Sequence, residues 1–252
     1  MMLAEERRLQ LTEWSKAEGR VDAVDASVRL NVAVETVRRD LDILQRRGVV
    51  RRVHGGAIPV DRFHAEATVP ERKSSNATAK AKIAKAAAQF IPENGCVFVD
   101  GGSTTEELAP YLVNRPNLLV VTNNIMLASL IGESTTQVIL LGGEIRRTSL
   151  STTGQLAVEE LHNFHAQVAF LGVNGISEEA GMTTADIEEA VVKRAMIANA
   201  AERILLADHS KFGHAFAAKF ATFNEIDRLV TDLDIPEDFL NTLQDSDVVL
   251  AH

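Results

Sequence analysis

The stretch ETVRRDLDILQRRGVVRRVHGGA, residues 35–57, contains six arginines in a chain whose formal net charge is −9. Its first part has apolar residues at helical spacing, at Val37, Leu41 and Leu44. The part after Gly48 indicates two short strands around a tight turn. A helix followed by a basic hairpin is typical of a winged helix-turn-helix, whose last helix enters the major groove of DNA.

Two further helices are predicted ahead of this stretch. The sequence favours a first helix from Ala4 to Glu18, which Gly19 ends. The segment RVDAVDASVRLNV, residues 20–32, predicts a short strand and a second helix, and the third helix begins near Ala33. Three helices followed by a hairpin assign residues 1–57 to a winged helix-turn-helix domain.

Positive charge is concentrated in this part of the chain. Residues 1–57 hold 11 Lys and Arg against 9 Asp and Glu, whereas the remaining residues hold 15 against 26. Because a polyanion is attracted by positive charge, only the N-terminal part is suited to bind nucleic acid.

Two groups of residues are candidate DNA contacts. The fixed fork of donors on arginine can grip a guanine edge or two phosphate oxygens. The candidates for the groove are Thr36, Arg38 and Arg39, and those for the DNA backbone are Arg51, Arg52 and His54. Alternatively, the arginines form a solvated face paired with Glu35, Asp40 and Asp42, because Glu35–Arg39 and Asp42–Arg46 have i, i+4 spacing.

The quoted stretch resembles the DNA-binding signature of the DeoR family of bacterial sugar-catabolism regulators. The resemblance implies operator DNA as a partner. One position departs from the family pattern, since Ala33 stands where a serine usually caps the recognition helix, and alanine cannot accept that hydrogen bond. Within the family the chain looks closest to actinobacterial regulators of sugar-phosphotransferase uptake, whose effectors are fructose phosphates.

A connector and a larger domain are predicted after the hairpin. Residues 58–76 contain two prolines and no sustained period, which indicates a linker. Residues 77–252 alternate amphipathic helices with short apolar runs, such as CVFVD and LLVVTN, and this pattern predicts a Rossmann-like α/β domain with a mainly parallel sheet. Ligands of such sheets bind beyond the carboxyl ends of the strands.

Polar residues follow several of these predicted strands. In DGGSTTEE, residues 100–107, backbone N–H groups and hydroxyls at a helix start are suited to an anion. An alternative is ordinary capping, since Ser103 with Glu106 and Thr104 with Glu107 both fit a capping box. The candidate ligand-binding residues at strand ends are Asp100, Gly102, Ser103, Thr104, Thr105, Thr122, Asn123, Gly143, Glu144, Asn174, Asp208 and Lys211.

The larger domain resembles the C-terminal sensor domain of the same family and, through it, the ribose-5-phosphate isomerase fold. The resemblance implies a phosphorylated sugar as effector and a repressor of sugar uptake or catabolism genes. It also implies that EEAVVKRAM, residues 188–196, lies near the pocket, so that Glu189 and Lys193 reach the ligand or a neighbouring subunit.

Two other functions are alternatives to a transcriptional regulator. A sugar-phosphate isomerase-like enzyme carrying a DNA-binding domain needs a carboxylate over C1 and C2 of the sugar. Asn174 stands where an aspartate is expected and cannot act as a base, whereas Glu189 keeps the alternative open. A metal sensor needs a ligand set, but only His162 and His165 have helical spacing. We expect a regulator without a catalytic residue, metal or cofactor.

The remaining features concern location and assembly. No segment approaches the roughly 20 apolar residues that span a bilayer, and the N-terminus lacks the apolar core of a secretion signal. The single cysteine, Cys96, lies in a predicted buried strand. We expect a cytoplasmic protein without a membrane partner. Because one winged helix reads few base pairs, we also expect a homodimer or homotetramer.

Overall fold

The computed structural model describes residues 4–46, 49–53, 55–59, 69–232 and 247–251. Contacts divide the chain into two units, Met1–Arg62 and Phe63–His252. The boundary between the two units falls within the predicted linker, residues 58–76.

The first unit contains three helices and three short strands within its described part. The elements are α1 (Ala4–Glu18), β1 (Val21–Asp22), α2 (Ala23–Leu30), α3 (Val34–Arg46), β2 (Val50–Val53) and β3 (Gly56–Pro59). The strands form an antiparallel sheet in the order β1, β3, β2. This arrangement confirms the predicted winged helix-turn-helix.

The apolar stripe of α3 builds the core of this unit. Val37, Leu41 and Leu44 are buried against Leu11 of α1 and Val50 of β2. Since the stripe faces inward, the opposite side of α3 is left to solvent, as its periodicity predicted.

The second unit contains the larger set of elements. They are α4 (Val69–Ser74), α5 (Ala77–Ala87), β4 (Gly95–Val99), α6 (Ser103–Glu106), α7 (Ala109–Leu112), β5 (Leu118–Thr122), α8 (Ile125–Ile131), β6 (Gln137–Leu140), β7 (Glu144–Arg146), β8 (Ser151–Thr153), α9 (Gln155–Leu161), β9 (Ala166–Gly172), β10 (Gly175–Ser177), β11 (Gly181–Thr184), α10 (Ile187–Ala198), β12 (Ala200–Leu206), β13 (Ala218–Ala221), β14 (Arg228–Thr231) and β15 (Asp247–Leu250). Short 3-10 turns occupy Ala88–Phe90, His209–Lys211 and Phe223–Glu225.

A parallel sheet forms the centre of the second unit. Its strands follow the order β15, β14, β12, β9, β4, β5, β6 in the described part of the chain, and each neighbouring pair is parallel. β10, β11 and β13 form a separate antiparallel sheet, and β7 and β8 form a hairpin. The predicted Rossmann-like α/β class is therefore confirmed.

Both faces of the parallel sheet are covered, as its continuous apolar strands predicted. In β9, Val168 and Phe170 pack on the side of α5 and α8, whereas Ala169 and Leu171 pack on the side of α9 and α10. The alternation follows from the two-residue period of a strand.

The predicted linker contains more regular structure than expected. Part of β3 and the whole of α4 fall within residues 58–76, and residues 60–68 lie outside the described residues. In the sequence Pro70 favours a loop, but in the structure it lies in the first turn of α4, where its missing N–H costs no helical hydrogen bond. None of the helices in the described ranges is long and apolar enough to cross a membrane.

Candidate functional site

The carboxyl ends of four adjacent strands bring polar residues from distant parts of the chain to one edge of the sheet. Asp100 follows β4, Gly172 ends the neighbouring β9, Thr122 ends β5, and Asp208 lies two residues after β12. We call this group and the residues that contact it the strand-end cluster. Its members are Asp100, Gly102–Thr105, Thr122, Asn123, Asn174, Thr184, Glu189, Lys193, Asp208 and Lys211.

A buried ion pair joins α10 to the end of β4. The ammonium of Lys193 donates to the Asp100 carboxylate and, at 2.9 Å, to the Gly172 carbonyl. The two side chains are only 4% and 3% exposed. Burial raises the pKa of Asp100, and the Lys193 charge and the Gly172 N–H oppose this rise. The structure thus brings Lys193 into the cluster as the counter-ion of Asp100.

The turn after β4 depends on close approach. A Cβ on Gly101 would lie 2.7 Å from the Cβ of Ser151, so only glycine fits there. The buried hydroxyl of Thr105 lies 2.7 Å from the Asp100 carbonyl and 2.9 Å from the Gly102 carbonyl. Thr105 and Gly102 therefore shape the turn, and the Thr105 hydroxyl is already in use.

Ser103 and Thr104 are placed differently from Thr105. The N-cap of α6 is Gly102 without a side-chain hydrogen bond, so neither predicted capping box forms. Within the described part of the chain, the hydroxyls of Ser103 and Thr104 make no hydrogen bond. Because α6 is a single turn, its dipole is smaller than the sequence suggested. The two hydroxyls remain available as donors to a ligand.

The residues after β5 have separate tasks. The Thr122 hydroxyl donates to a β4 carbonyl at 2.5 Å, and Asn124 caps α8 by accepting from a backbone N–H at 3.0 Å. The Asn123 amide nitrogen donates to the Thr152 carbonyl at 3.1 Å, whereas its Oδ1 is buried without a hydrogen-bond partner among the described residues. A buried acceptor without a donor costs about 1–3 kcal/mol, which a ligand hydroxyl or a water would relieve.

Glu189 on α10 is held by a polar network. Its Oε1 lies 3.3 Å from Arg146 Nη1, and its Oε2 lies 2.9 Å from the Thr184 hydroxyl. The same hydroxyl is 2.9 Å from Asn174 Oδ1, and Arg146 Nε is 3.2 Å from Asp186. The carboxylate is therefore tied to a cation and a hydroxyl. Sequence reasoning missed Arg146, because a hairpin arginine carries no local signal of a distant partner.

Gly143 and Glu144 lie at the start of the β7–β8 hairpin. Gly143 has a φ of 133°, and a Cβ there would lie 2.3 Å from the Thr153 carbonyl, so glycine permits the hairpin to close. The Glu144 side chain is exposed and makes no ion pair or hydrogen bond with the described residues. No hydrogen bond or ion pair among the described residues joins Gly143 or Glu144 to the strand-end cluster, and their role in ligand binding stays a prediction.

Asp208 is a buried carboxylate with one occupied and one unoccupied oxygen. Its Oδ1 accepts from Asn76 Nδ2 at 2.9 Å and from the Ser210 N–H at 3.0 Å. Its Oδ2 is buried, makes no hydrogen bond within the described part of the chain, and lies 4.0 Å from Lys211 Nζ. Burial alone would raise the pKa of Asp208, but the Lys211 charge and the hydrogen bonds from Ser210 and Asn76 outweigh it and lower the pKa. Asp208 is therefore ionised at neutral pH, and its Oδ2 can accept a hydrogen bond from a ligand.

The exposed face of α3 carries the predicted groove contacts Thr36, Arg38 and Arg39. Arg39 is exposed and, within the described residues, has no ion pair or hydrogen bond. Arg38 is half exposed and lies 3.4 Å from Glu35. Of the pairs that the solvated-face interpretation requires, neither Glu35–Arg39 nor Asp42–Arg46 forms in the described part, so Arg39 stays available to a ligand.

The hairpin is fixed to α3 through Arg52. Arg52 Nε lies 3.1 Å from Asp42 Oδ1, and the Arg52 N–H donates to Gln45 Oε1 at 2.7 Å. This residue, expected at the DNA backbone, thus already has an acidic partner. His54 and the side chain of Arg51 lie outside the described residues.

Asp40 on α3 has a role that the sequence did not indicate. Its carboxylate, 3% exposed, accepts from Arg7 Nε at 2.5 Å and from Arg8 Nε at 2.9 Å. The ion pairs tie the recognition helix to α1. The sequence placed Asp40 among surface acids because no local spacing relates it to residues more than 30 positions away.

Cys96 lies in β4 and is half-buried. Burial raises the pKa of its thiol to about 11. The thiolate is therefore rare at neutral pH. The structure confirms the predicted strand, but Cys96 is less buried than predicted.

Two protein-family models match the chain. The DeoR-like helix-turn-helix domain matches residues 7–63, and the DeoR C terminal sensor domain matches residues 75–233. The first match contains α2 and α3, and the second contains every residue of the strand-end cluster.

Curated proteins that are similar to the chain over nearly its whole length include two regulators. The HTH-type transcriptional regulator GlpR of Haloferax volcanii is 34% identical over 251 residues, which are 99% of this chain and 98% of the relative. The glycerol-3-phosphate regulon repressor of Escherichia coli K12 is 30% identical over 246 residues, 97% of each chain. Among solved structures, ribose 5-phosphate isomerase A from Methanocaldococcus jannaschii covers 55% of each chain with 18% identity and a TM-score of 0.41.

Proposed function

Because the chain belongs to the DeoR family of transcriptional regulators, we propose that it represses genes of sugar uptake or catabolism. A phosphorylated sugar, bound at the strand-end cluster, controls its affinity for operator DNA. The name of one full-length relative, a glycerol-3-phosphate regulon repressor, supports a phosphorylated effector. Fructose phosphates, the effectors of the sugar-phosphotransferase regulators that the sequence resembles, are the first candidates.

The DNA-binding part of the proposal depends on α3. Arg39 is exposed and unpaired among the described residues, and Arg38 has only an exposed partner, so both guanidinium groups can reach a groove edge. Arg52 is held to Asp42 on α3. To contact the DNA backbone, the Arg52 guanidinium must therefore either leave Asp42 or bind a phosphate and Asp42 together.

The effector-binding part rests on one observation above the others. Two strand-end acceptors, Asn123 Oδ1 and Asp208 Oδ2, are buried without hydrogen-bond partners in the part of the chain that the structure describes. The hydroxyls of a sugar supply the donors that such acceptors need. The free hydroxyls of Ser103 and Thr104, together with the Lys211 ammonium, supply donors to a phosphate. The cluster therefore matches a ligand that combines hydroxyls with an anion.

We propose no enzymatic activity, because the full-length relatives are named as regulators. Glu189 is the carboxylate that would act as the base in the isomerase alternative, and it is bound by Arg146 and Thr184. Incubation of the purified protein with ribose 5-phosphate should give no ribulose 5-phosphate. Turnover that disappears in Glu189→Gln would support the isomerase alternative instead.

Assembly and location follow from the proposed function. A single winged helix contacts few base pairs, so a homodimer or homotetramer would bind repeated half-sites. Sedimentation of the full-length chain at micromolar concentration tests this point, and a monomer would contradict it. The division into residues 1–57, 58–76 and 77–252, and a cytoplasmic location, stay predictions.

A thermal-shift screen tests the effector. The full-length protein is heated with fructose 1-phosphate, fructose 6-phosphate, glucose 6-phosphate and glycerol 3-phosphate, each beside its unphosphorylated parent. A ligand at 100 times its dissociation constant should stabilise the fold by about 2.7 kcal/mol. A response to a phosphorylated compound and not to its parent supports the proposal, whereas no response to any phosphorylated sugar contradicts it.

A further inference from the structure

Asn76 connects the strand-end cluster to the start of the second unit. It lies between α4 and α5 with a left-handed φ of 53°, and although it occupies the N-cap of α5, its side chain makes no capping hydrogen bond. The amide donates instead to Asp208 Oδ1 at 2.9 Å, across 132 positions of sequence. The conformation of the α4–α5 corner is thus coupled to a cluster residue.

We propose that Asn76 transmits occupancy of the strand-end cluster to α4, and through α4 to the part of the chain that precedes it. The inference rests on the proposed function, because it presumes an effector at Asp208. Asn76 is a positioning residue in this scheme and does not itself contact the effector.

The carboxylate of Asp208 has the geometry for such a role. One oxygen accepts from Asn76, and the other is buried with no hydrogen-bond donor in the described ranges. Because a carboxylate is a rigid planar group, turning it to meet a ligand hydroxyl at Oδ2 also moves Oδ1. The bond to Asn76 therefore differs between the empty and the occupied cluster, which gives the effector unequal affinity for two arrangements.

Lys80 holds α4 and α5 together at this corner, so that a movement of Asn76 also moves α4. Its side chain is buried on α5, and its ammonium donates to the carbonyl of Arg72 and, at 2.7 Å, to that of Ser75. Burial lowers the pKa of Lys80, and the charge of Asp208 opposes this shift. The last turn of α4 is thereby fastened to the first turn of α5.

α4 also contacts two other parts of the second unit. Lys73 Nζ lies 2.7 Å from a carboxylate oxygen of Glu106 in α6, the turn that carries Ser103. Arg72 Nη2 donates at 2.6 Å to the Thr148 carbonyl, between β7 and β8. α4 is the first described element of the second unit, and residues 60–68 connect it in sequence to β3 of the first unit. A change in α4 is therefore placed where it can alter that connection.

The test is Asn76→Gly in the full-length protein, with Asn114→Gly as matched control. Both asparagines have positive φ, at 53° and 59°, so glycine keeps each backbone conformation without strain. Operator affinity is measured by fluorescence anisotropy with and without fructose 1-phosphate, glucose 6-phosphate and glycerol 3-phosphate, and ligand binding by thermal shift.

We expect at least one of these probes to change the operator affinity of the unaltered protein and of N114G by about 5- to 150-fold. In N76G the same probe should still raise the melting temperature, but the change in operator affinity should fall below about twofold. Asn76→Asp, which keeps the left-handed preference but replaces the donor by an acceptor, should behave in the same way and serves if N76G does not fold.

Three outcomes would overturn the inference. Full response in N76G or N76D would show that the Asn76–Asp208 bond transmits nothing. Loss of ligand binding in either variant would make Asn76 part of the binding site. If no probe affects the unaltered protein in either measurement, the proposed function fails, and the inference fails with it.

Discussion

Lys193 and Asp100 form an ion pair that is almost fully enclosed between α10 and the end of β4. The resemblance to a sensor domain implied that Lys193 would reach the effector or a neighbouring subunit. In the structure its ammonium donates to Asp100 and to the Gly172 carbonyl, and its charge neutralises a buried carboxylate.

The first prediction concerns this pair. Lys193→Met leaves the Asp100 carboxylate buried without its cation, and we expect a loss of about 3–5 kcal/mol in the free energy of unfolding at neutral pH. Because burial raises the pKa of Asp100, the variant loses stability as pH rises through that pKa, and its deficit should be smaller at pH 5 than at pH 8. Urea denaturation followed by circular dichroism measures both effects.

A control for this prediction is Arg203→Met. Arg203 pairs with Asp227 at 2.6 Å, but its side chain is 28% exposed and that of Asp227 is 38% exposed. Such a pair contributes roughly 0–1 kcal/mol. Equal losses in both variants, or a deficit of Lys193→Met that grows toward pH 5, would contradict the role assigned to Lys193.

The second prediction concerns Asp40. Asp40→Asn removes the charge that holds Arg7 and Arg8, and a loss of about 3–5 kcal/mol is expected for the first unit. Intrinsic fluorescence of Trp14, the single tryptophan of the chain, reports unfolding of this unit. A midpoint within experimental error of the unaltered protein would show that the ion pairs contribute nothing.

The third prediction concerns Arg39. Its guanidinium is unpaired among the described residues, so Arg39→Ala should leave folding intact and reduce the preference for operator over random DNA by about 1–3 kcal/mol. Arg29→Ala is the control for the loss of one arginine charge. The Arg29 guanidinium already has partners, since it stacks on Trp14 at 3.8 Å and pairs with Glu18. If Arg39→Ala weakens operator and random DNA equally, Arg39 contacts phosphate and not a base edge.

The fourth prediction concerns the turn after β4. Ser103→Ala combined with Thr104→Ala should leave operator binding unchanged and abolish the response to effector, because these hydroxyls have no other partner in the described part. Thr105→Val removes a hydroxyl that closes the turn, and it should instead lower stability by about 1–3 kcal/mol. An unaltered effector response in the double variant would leave the turn with a purely structural role.

The sequence predicted those features that depend on local periodicity. Val37, Leu41 and Leu44 recur at helical spacing, and the structure buries all three. The apolar strands β4, β5 and β9 were recognisable because both faces of a parallel sheet are covered, which removes polar positions from the strand interior.

Features that depend on distant partners were not predictable. Asp40 and Arg8 are 32 positions apart, and Asn76 and Asp208 are 132 apart, so no local pattern relates them. The sequence identified polar residues at the strand ends, but it did not show which of their side chains are available to a ligand. Only the structure separates Thr105, whose hydroxyl is in use, from Thr104, whose hydroxyl is free within the described residues.

The central claim is that a phosphorylated sugar controls operator binding. It is tested most directly by titrating the full-length protein onto an operator duplex, selected from random DNA, at constant salt with and without fructose 1-phosphate, glucose 6-phosphate or glycerol 3-phosphate. The operator dissociation constant should change by at least about fivefold with a sugar phosphate that raises the melting temperature. An unchanged dissociation constant at saturating concentrations of every such compound would contradict the claim.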